Sequence, residues 1–259
     1  MGNGRHAAAL WACSFHYSTI PFHRIKTPVR DSYLHLRLDS MEVETIRTNF
    51  SADSAIVSSL HEATLVDGGP ENYKKWARRY EADLPTYTGY KSANSKWLDY
   101  HNQLLESCSV NKHKVFDAGC GTGLVGENLI SSIESDLVDI YGGDLSPDML
   151  EVARSKNIYA DLRIINLKEH LPYEAGSFDS IICVGVFIQG HCGPDCLPNL
   201  IRVLKKGGIV IATVRKLFFE STKQDWEKQI QDCHCTVEEQ VEMPYLEEMN
   251  CVVIVMRKL

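Results

Sequence analysis

Residues 109–259 predict an α/β fold: a doubly wound, mostly parallel seven-stranded sheet. Three observations predict it. From residue 112 onward short apolar runs alternate with helix-period patterns, as parallel strands with crossover helices do. A glycine-rich turn, "DAGCGTG" at 117–123, follows the first apolar run and opens a helical pattern. The last two strand-like runs, "TVEEQVEM" and "NCVVIVMRK", are joined by "PYLEE", which predicts a terminal antiparallel pair.

Taken in order, the expected strands are 114–118, 138–143, 161–165, 178–185 and 207–214, followed by the two terminal runs. Helices are expected at about 122–133, 147–155, 195–205 and 217–231, with the third ending at Gly207–Gly208. Ahead of the sheet, residues 52–64 and 71–107 read as helices separated by the turn "DGGP", so 51–108 form a helical cap. Residues 1–50 show no sustained periodicity and are expected to be a disordered extension. Their first 30 residues lack acids and contain Arg, Ser and Thr, which leaves a mitochondrial targeting segment as the alternative to a cytoplasmic protein.

The chain has 259 residues, 44% hydrophobic and 24% charged, the composition of an ordinary globular protein. The longest apolar run near the C-terminus is "CVVIVM", far short of the roughly 20 residues of a membrane-spanning helix. Net charge is −7, and because residues 1–40 carry +3, the remainder holds −10. An acidic body disfavours general nucleic-acid binding, which rests on basic neutralisation of phosphates. Nine cysteines without a regular framework, several inside apolar runs, suit a reducing compartment. The spacings C-x-x-x-C at 192–196 and C-x-C at 233–235 are not the paired knuckles of a zinc site, so no metal is expected.

The glycine loop admits two ligands. Gly121, Gly123 and Gly126 match G-x-G-x-x-G, the dinucleotide pattern. However, Asp117 closes the strand ahead of Gly119 and Gly121. An ionised carboxylate there repels a pyrophosphate and favours a cationic group. Asp144, at the end of the second strand, suits the two hydroxyls of a ribose and so supports an adenosine ligand of either kind. Each feature also has a plain structural use. The glycines permit tight packing, and "LSPDM" after Asp144 is good helix-cap chemistry.

A cationic, phosphate-free adenosine ligand is S-adenosyl-L-methionine. With "DAGCGTG", "IYGGDLSPDMLEVA", "LRIINL", "LPYEAGSFDSIICVGVF" and "LIRVLKKGGIVIATV" in this order, residues 112–259 resemble the class I S-adenosylmethionine-dependent methyltransferases. "ENYKKWARRYEADL", "GYKS", "EKQI" and "YLEE" resemble the Williams-Beuren syndrome region methyltransferase-like family. The resemblance implies a Rossmann-like methyltransferase fold and S-adenosyl-L-methionine as cofactor. It assigns cofactor binding to Tyr73, Tyr80, Asp117, Gly119, Gly121, Asp144, Leu145, Asn166, Leu167 and Val184, with Asn166 and Leu167 at the adenine edge. Tyr73, Trp76, Ala77 and Tyr80 share one helix face. Such a stripe is ordinarily a packing surface. Its functional reading is a lid whose rings attract a sulfonium.

Methyl transfer asks an enzyme mainly to orient an acceptor and exclude water. His191, in the loop "GVFIQGHCGPDC" after the fourth strand, is the candidate base, with Cys192 and Asp195 nearby; the plain alternative is a solvent-exposed loop histidine. No aromatic "DPPY"-type loop follows that strand, which disfavours DNA amino-group methylation. The expectation is therefore a methyltransferase with a small-molecule acceptor, no nucleic-acid partner and no membrane association. Two rivals stand beside it: a nicotinamide-dependent oxidoreductase, and a cofactor-binding module without turnover.

Overall fold

The computed structural model describes residues 73–74, 76–84, 87–107, 112–133, 135–246 and 249–259. The expected extension 1–50 and helix 52–64 lie outside the described residues.

The segment read as one helix over 71–107 is two. Tyr73 and Trp76 are helical, and after a turn at 77–79 comes α1, Tyr80–Asp83; α2 then spans Gly89–Ser107. The break follows from Pro85, because a residue preceding proline is pushed out of the helical region, and Leu84 leaves it at φ −121° and ψ 51°. The released strand-like residue Tyr87 bridges to Leu246 at the far end of the chain.

The remaining elements are β1 (His113–Ala118), α3 (Leu124–Ile130), β2 (Val138–Asp144), α4 (Pro147–Ser155), β3 (Asp161–Ile164), β4 (Phe178–Phe187), α5 (Leu197–Val203), β5 (Leu204–Arg215), α6 (Lys216–Asp232), β6 (Cys235–Leu246) and β7 (Met249–Lys258). They form a seven-stranded sheet in the order β3-β2-β1-β4-β5-β7-β6. β1 to β5 pair in parallel, and β7 runs antiparallel between β5 and β6. The order reverses between β1 and β4. In an open α/β sheet that switch point, at the carboxyl ends of the strands, is where a crevice forms.

Both faces of the sheet are covered, as parallel strands require. Successive residues of β4, β5 and β7 point to opposite faces. Ile181, Val210 and Ile254 enter one core with Phe116, Phe178 and Trp226. Ile182, Ile211 and Val253 enter the other with Trp97, Leu129 and Ile140. At the open edge, β6 alternates and exposes carboxylates, with Lys96 of α2 and Arg257 of β7 pairing with Glu239 and Glu238. Charge on an edge strand discourages pairing with another chain.

One boundary differs from the sequence expectation in a way that has a cause. The third crossover helix ends at Val203, not at Gly207–Gly208, because Leu204 turns extended and pairs with Phe178. "KKGG" then forms an irregularity in the β4–β5 ladder. Gly207 takes φ +78°, and a Cβ on Gly208 would sit 2.6 Å from the Asp179 carbonyl oxygen.

Candidate functional site

The loop from β1 to α3 leaves the sheet at the switch point. Gly119, Gly121 and Gly123 have φ of +77°, +52° and +92°, which side chains other than glycine rarely adopt. Their surroundings separate two uses of glycine. A Cβ on Gly119 would lie 2.2 Å from Val186 Cγ2, and one on Gly126 2.6 Å from the Tyr159 hydroxyl, so these two permit close packing. Nothing lies within 4 Å of a Cβ on Gly121, which instead faces a cavity.

That cavity, of about 330 Å³, is bounded by six segments: the helical turn bearing Tyr73 and Tyr80, the glycine loop, the end of β2, the stretch after β3, the end of β4, and the loop Gly190–Cys192. Tyr73, Tyr80, Gly119, Gly121, Asp144, Leu145, Asn166, Leu167 and Val184 all line it. The aromatic stripe divides between the cavity and the packing beneath it. Tyr73 and Tyr80 face the cavity, whereas Ala77 is buried and Trp76 donates from Nε1 to Asp83 Oδ2 at 2.8 Å.

Asp144 is held by the backbone. Its Oδ2 accepts from the Gly121 N–H at 2.9 Å and its Oδ1 from the Ser146 N–H at 2.8 Å. Burial pushes its pKa above the ordinary carboxylate value, and the Ser146, Gly121 and Leu145 N–H groups oppose the rise. The cap reading of "LSPDM" also holds: the Ser146 hydroxyl accepts from the Met149 N–H at the start of α4, and Pro147 occupies the first turn. Capping is done by Ser146, which leaves Asp144 directed at the loop.

Asp117 needs a correction. It does not line the cavity: it is fully buried at the end of β1, where its Oδ2 accepts from the Tyr159 hydroxyl at 2.7 Å. Nor is it firmly ionised. Burial pushes it up to about 7, Tyr159 and the Gly126 N–H pull it down, and Asp144 pushes it up. Its Oδ1 is buried and has no hydrogen-bond partner among the described residues. Asn166 differs in detail as well. Its side chain is engaged locally, donating to Glu169 and accepting from the Lys168 N–H, and its backbone carbonyl accepts from the Glu169 N–H at 3.0 Å.

His191 is brought to the cavity, as is Cys192, while Asp195 is not among the lining residues. The His191 ring stands edge-on to Tyr73 with Nε2 3.3 Å from the Tyr73 hydroxyl. Burial, and then the charge of Lys168, lower its pKa, so the imidazole is neutral near pH 7. Burial also raises the Tyr73 phenol well above its usual value, so it stays protonated and able to donate.

Several lining residues carried no signal in the sequence. Lys168, Met149, Ile165 and Val186 reach the cavity only through the fold. Tyr159 belongs to the irregular "NIYADL" stretch, yet it supports the glycine loop and Asp117 together. Gly185 offered a trace: a glycine within a strand often marks a bulge. It takes φ +76° inside a register shift between Cys183 and Phe187, and its N–H bonds to Thr213 Oγ1 instead of the ladder. Bulges of this kind re-aim a strand beside a site.

Residues 115–208 match the methyltransferase domain family. Human methyltransferase-like protein 27 is 33% identical over 144 residues, covering 55% of this chain and 56% of the relative. The 18S rRNA (guanine(1575)-N(7))-methyltransferase of Saccharomyces cerevisiae is 36% identical over 120 residues, 42% of this chain and 41% of the relative. A ubiquinone biosynthesis O-methyltransferase of Xanthomonas oryzae is 27% identical over 135 residues, 51% of this chain and 53% of the relative. The chain thus spans about half the length of the curated relatives it matches. Among solved structures, the methyltransferase crystallised with the Trm112 methyltransferase activator of Haloferax volcanii aligns over 72% of this chain and 97% of its own, with a TM-score of 0.51 and 16% identity, a likeness of fold. Motif order, strand topology and these matches agree: residues 115–208 are similar to methyltransferase domains, on a Rossmann-like methyltransferase fold.

Proposed function

We propose that this chain binds S-adenosyl-L-methionine in the cavity at the switch point and transfers its methyl group to a small-molecule acceptor. One observation carries the choice of cofactor. The glycine loop is underlain by two carboxyl groups, half-buried Asp144 tethered by the loop's own Gly121 N–H and buried Asp117, whose Oδ1 has no partner among the described residues. A diphosphate seated on Gly121 would meet the Asp144 carboxylate; a ligand with an ammonium and a sulfonium is attracted by it and favours ionisation of Asp117 beneath the loop.

The residues present fit that ligand. Asp144 is positioned to accept from ribose hydroxyls, the backbone of 165–167 to meet an adenine edge, and Tyr73 and Tyr80 to cover the sulfonium with aromatic faces. When bound, the cofactor supplies an electrophilic methyl group on a cationic sulfur that departs as a neutral thioether. Tyr73 and His191 then form a donor–acceptor pair beside it. A proton from the acceptor's nucleophile passes to the Tyr73 oxygen as the phenol proton passes to His191 Nε2. The enclosing turn and loop exclude water and hold the acceptor in line.

A nucleic-acid acceptor is the second reading, supported by the sequence likeness to an 18S rRNA methyltransferase. The net charge of −7 weighs against it. The test is calorimetric titration with S-adenosylhomocysteine and with NAD, followed by transfer of a radiolabelled methyl group to a metabolite pool and, separately, to total RNA. Binding of S-adenosylhomocysteine alone and label in the metabolite pool are expected. NAD binding, or label confined to RNA, rejects the corresponding part of the proposal.

A further inference from the structure

The two ends of the cavity differ in charge. At the β2 end stands the Asp144 carboxylate. At the β4 end stand His191, Cys192 and the Tyr73 hydroxyl, and exposed Lys168, from the stretch after β3, lines the same cavity. Lys168 is the single cationic side chain among the described residues that line the cavity, and no ion pair engages its ammonium among the described residues. Its charge reaches the interior of that end, since it is among the causes that lower both the His191 imidazole and the Cys192 thiol. His191 is half-buried, and its Nε2 is already in contact with Tyr73.

An ammonium with no ion-pair partner among the described residues, sharing a half-enclosed cavity with a neutral imidazole and a phenol, is a receptor for a molecule that is both anionic and nucleophilic. A lysine offers a point charge on a flexible stem and accepts carboxylate, sulfate or phosphate in many approaches. A charge-assisted hydrogen bond is about twice as strong as a neutral one.

We propose that the methyl acceptor is a small organic acid whose anionic group pairs with Lys168 while its nucleophilic atom lies against Tyr73 and His191. This rests on the methyltransferase reading above. It makes Lys168 a specificity-determining residue, acting on acceptor binding and not on the cofactor.

The test uses the full chain saturated with S-adenosylhomocysteine. Benzoate, 4-hydroxybenzoate, phenyl phosphate and lactate are titrated by ligand-observed NMR, each against its neutral amide or alcohol counterpart. In the unaltered chain at least one acid is expected to bind about tenfold more tightly than its neutral counterpart. Lys168→Met should remove that preference with S-adenosylhomocysteine affinity unchanged, and Lys168→Arg should retain it. Acids and neutral counterparts binding alike across the panel would overturn the proposal. So would a preference that survives Lys168→Met, or a single-stranded RNA decamer that binds more tightly than every acid and loses most from the substitution. Failure of S-adenosylhomocysteine itself to bind would remove the methyltransferase reading, and this proposal with it.

Discussion

Asp144 and Asp117 show how differently two acids at neighbouring strand ends are used. Asp144 reaches the cavity and is kept in place by two N–H groups, one of them from the glycine loop. Asp144→Ala should weaken S-adenosylhomocysteine binding by about 1.5–3 kcal/mol, the range for hydrogen bonds to a charged group; unchanged calorimetric affinity would exclude Asp144 from the site. Asp117 acts from beneath the loop. Its native carboxyl holds a proton up to about 7, against 3.8 when exposed, so its contribution to stability is full below 3.8 and lost as pH rises through 7. A ligand ammonium held near the loop reverses that preference by favouring the ionised form. Affinity for S-adenosylhomocysteine should therefore rise with pH through about 7. Tyr159→Phe removes the hydroxyl that lowers Asp117 and should move the midpoint of that rise upward, as calorimetry between pH 5.5 and 9 would report. Both acids were legible in the sequence because a strand-ending acid beside glycines is a local pattern. The proton on Asp117 was not, since it depends on burial and on Tyr159, 42 positions away.

Among the elements, α2 docks on the sheet through a buried polar chain and not through apolar contact alone. Trp97 Nε1 donates to Ser180 Oγ on β4, and Ser180 Oγ lies 2.9 Å from His113 Nε2 on β1. His113 Nδ1 lies 3.1 Å from His101 Nδ1, and the Trp97 and His101 rings are stacked. Burial lowers both histidines, His113 to about 4, with the Asp179 carboxylate opposing and His101 and Lys205 adding to the fall. The unfolded histidine binds its proton near 6.5 and the native one near 4, so this stabilisation is complete above 6.5 and is lost as pH falls towards 4. Its size is on the order of 3 kcal/mol. Urea midpoints between pH 4 and 7 should show a steep decline for the native sequence and a shallower one for His113→Gln; parallel curves would show that the pair does not control acid stability. The sequence revealed the helix through its periodicity, but histidines 12 positions apart on a helix and a strand give no local sign that they meet. The helix break after Leu84 is of another kind: Pro85 is the local signal for it, but the apolar periodicity on either side reads as one continuous helix.

For the molecule as a whole, a ligand that binds only the folded state must stabilise it. At a hundredfold excess over its dissociation constant the gain is about 2.7 kcal/mol. For a domain of this size that corresponds to a rise in melting temperature of about 5–10 °C. S-adenosylhomocysteine should produce it in a thermal scan and NAD should not; the reverse pattern would favour the oxidoreductase reading. No helix among the described residues is long and apolar enough to cross a membrane.

The strand–helix alternation, the position of the glycine loop, the acids at the ends of β1 and β2 and the closing antiparallel strand were all present in the linear order of residues. Each depends on neighbours a few positions apart. Periodicity, turn chemistry and strand-end placement are local quantities, and a chain read residue by residue records them. The identity of the cavity's far wall was settled by folding. Lys168, His191 and Tyr73 come from a post-β3 stretch, a post-β4 loop and a helical turn ahead of the sheet, and they share a cavity because the strand order reverses between β1 and β4. Their joint charge and proton affinity arise from burial and proximity, which no sequence window contains.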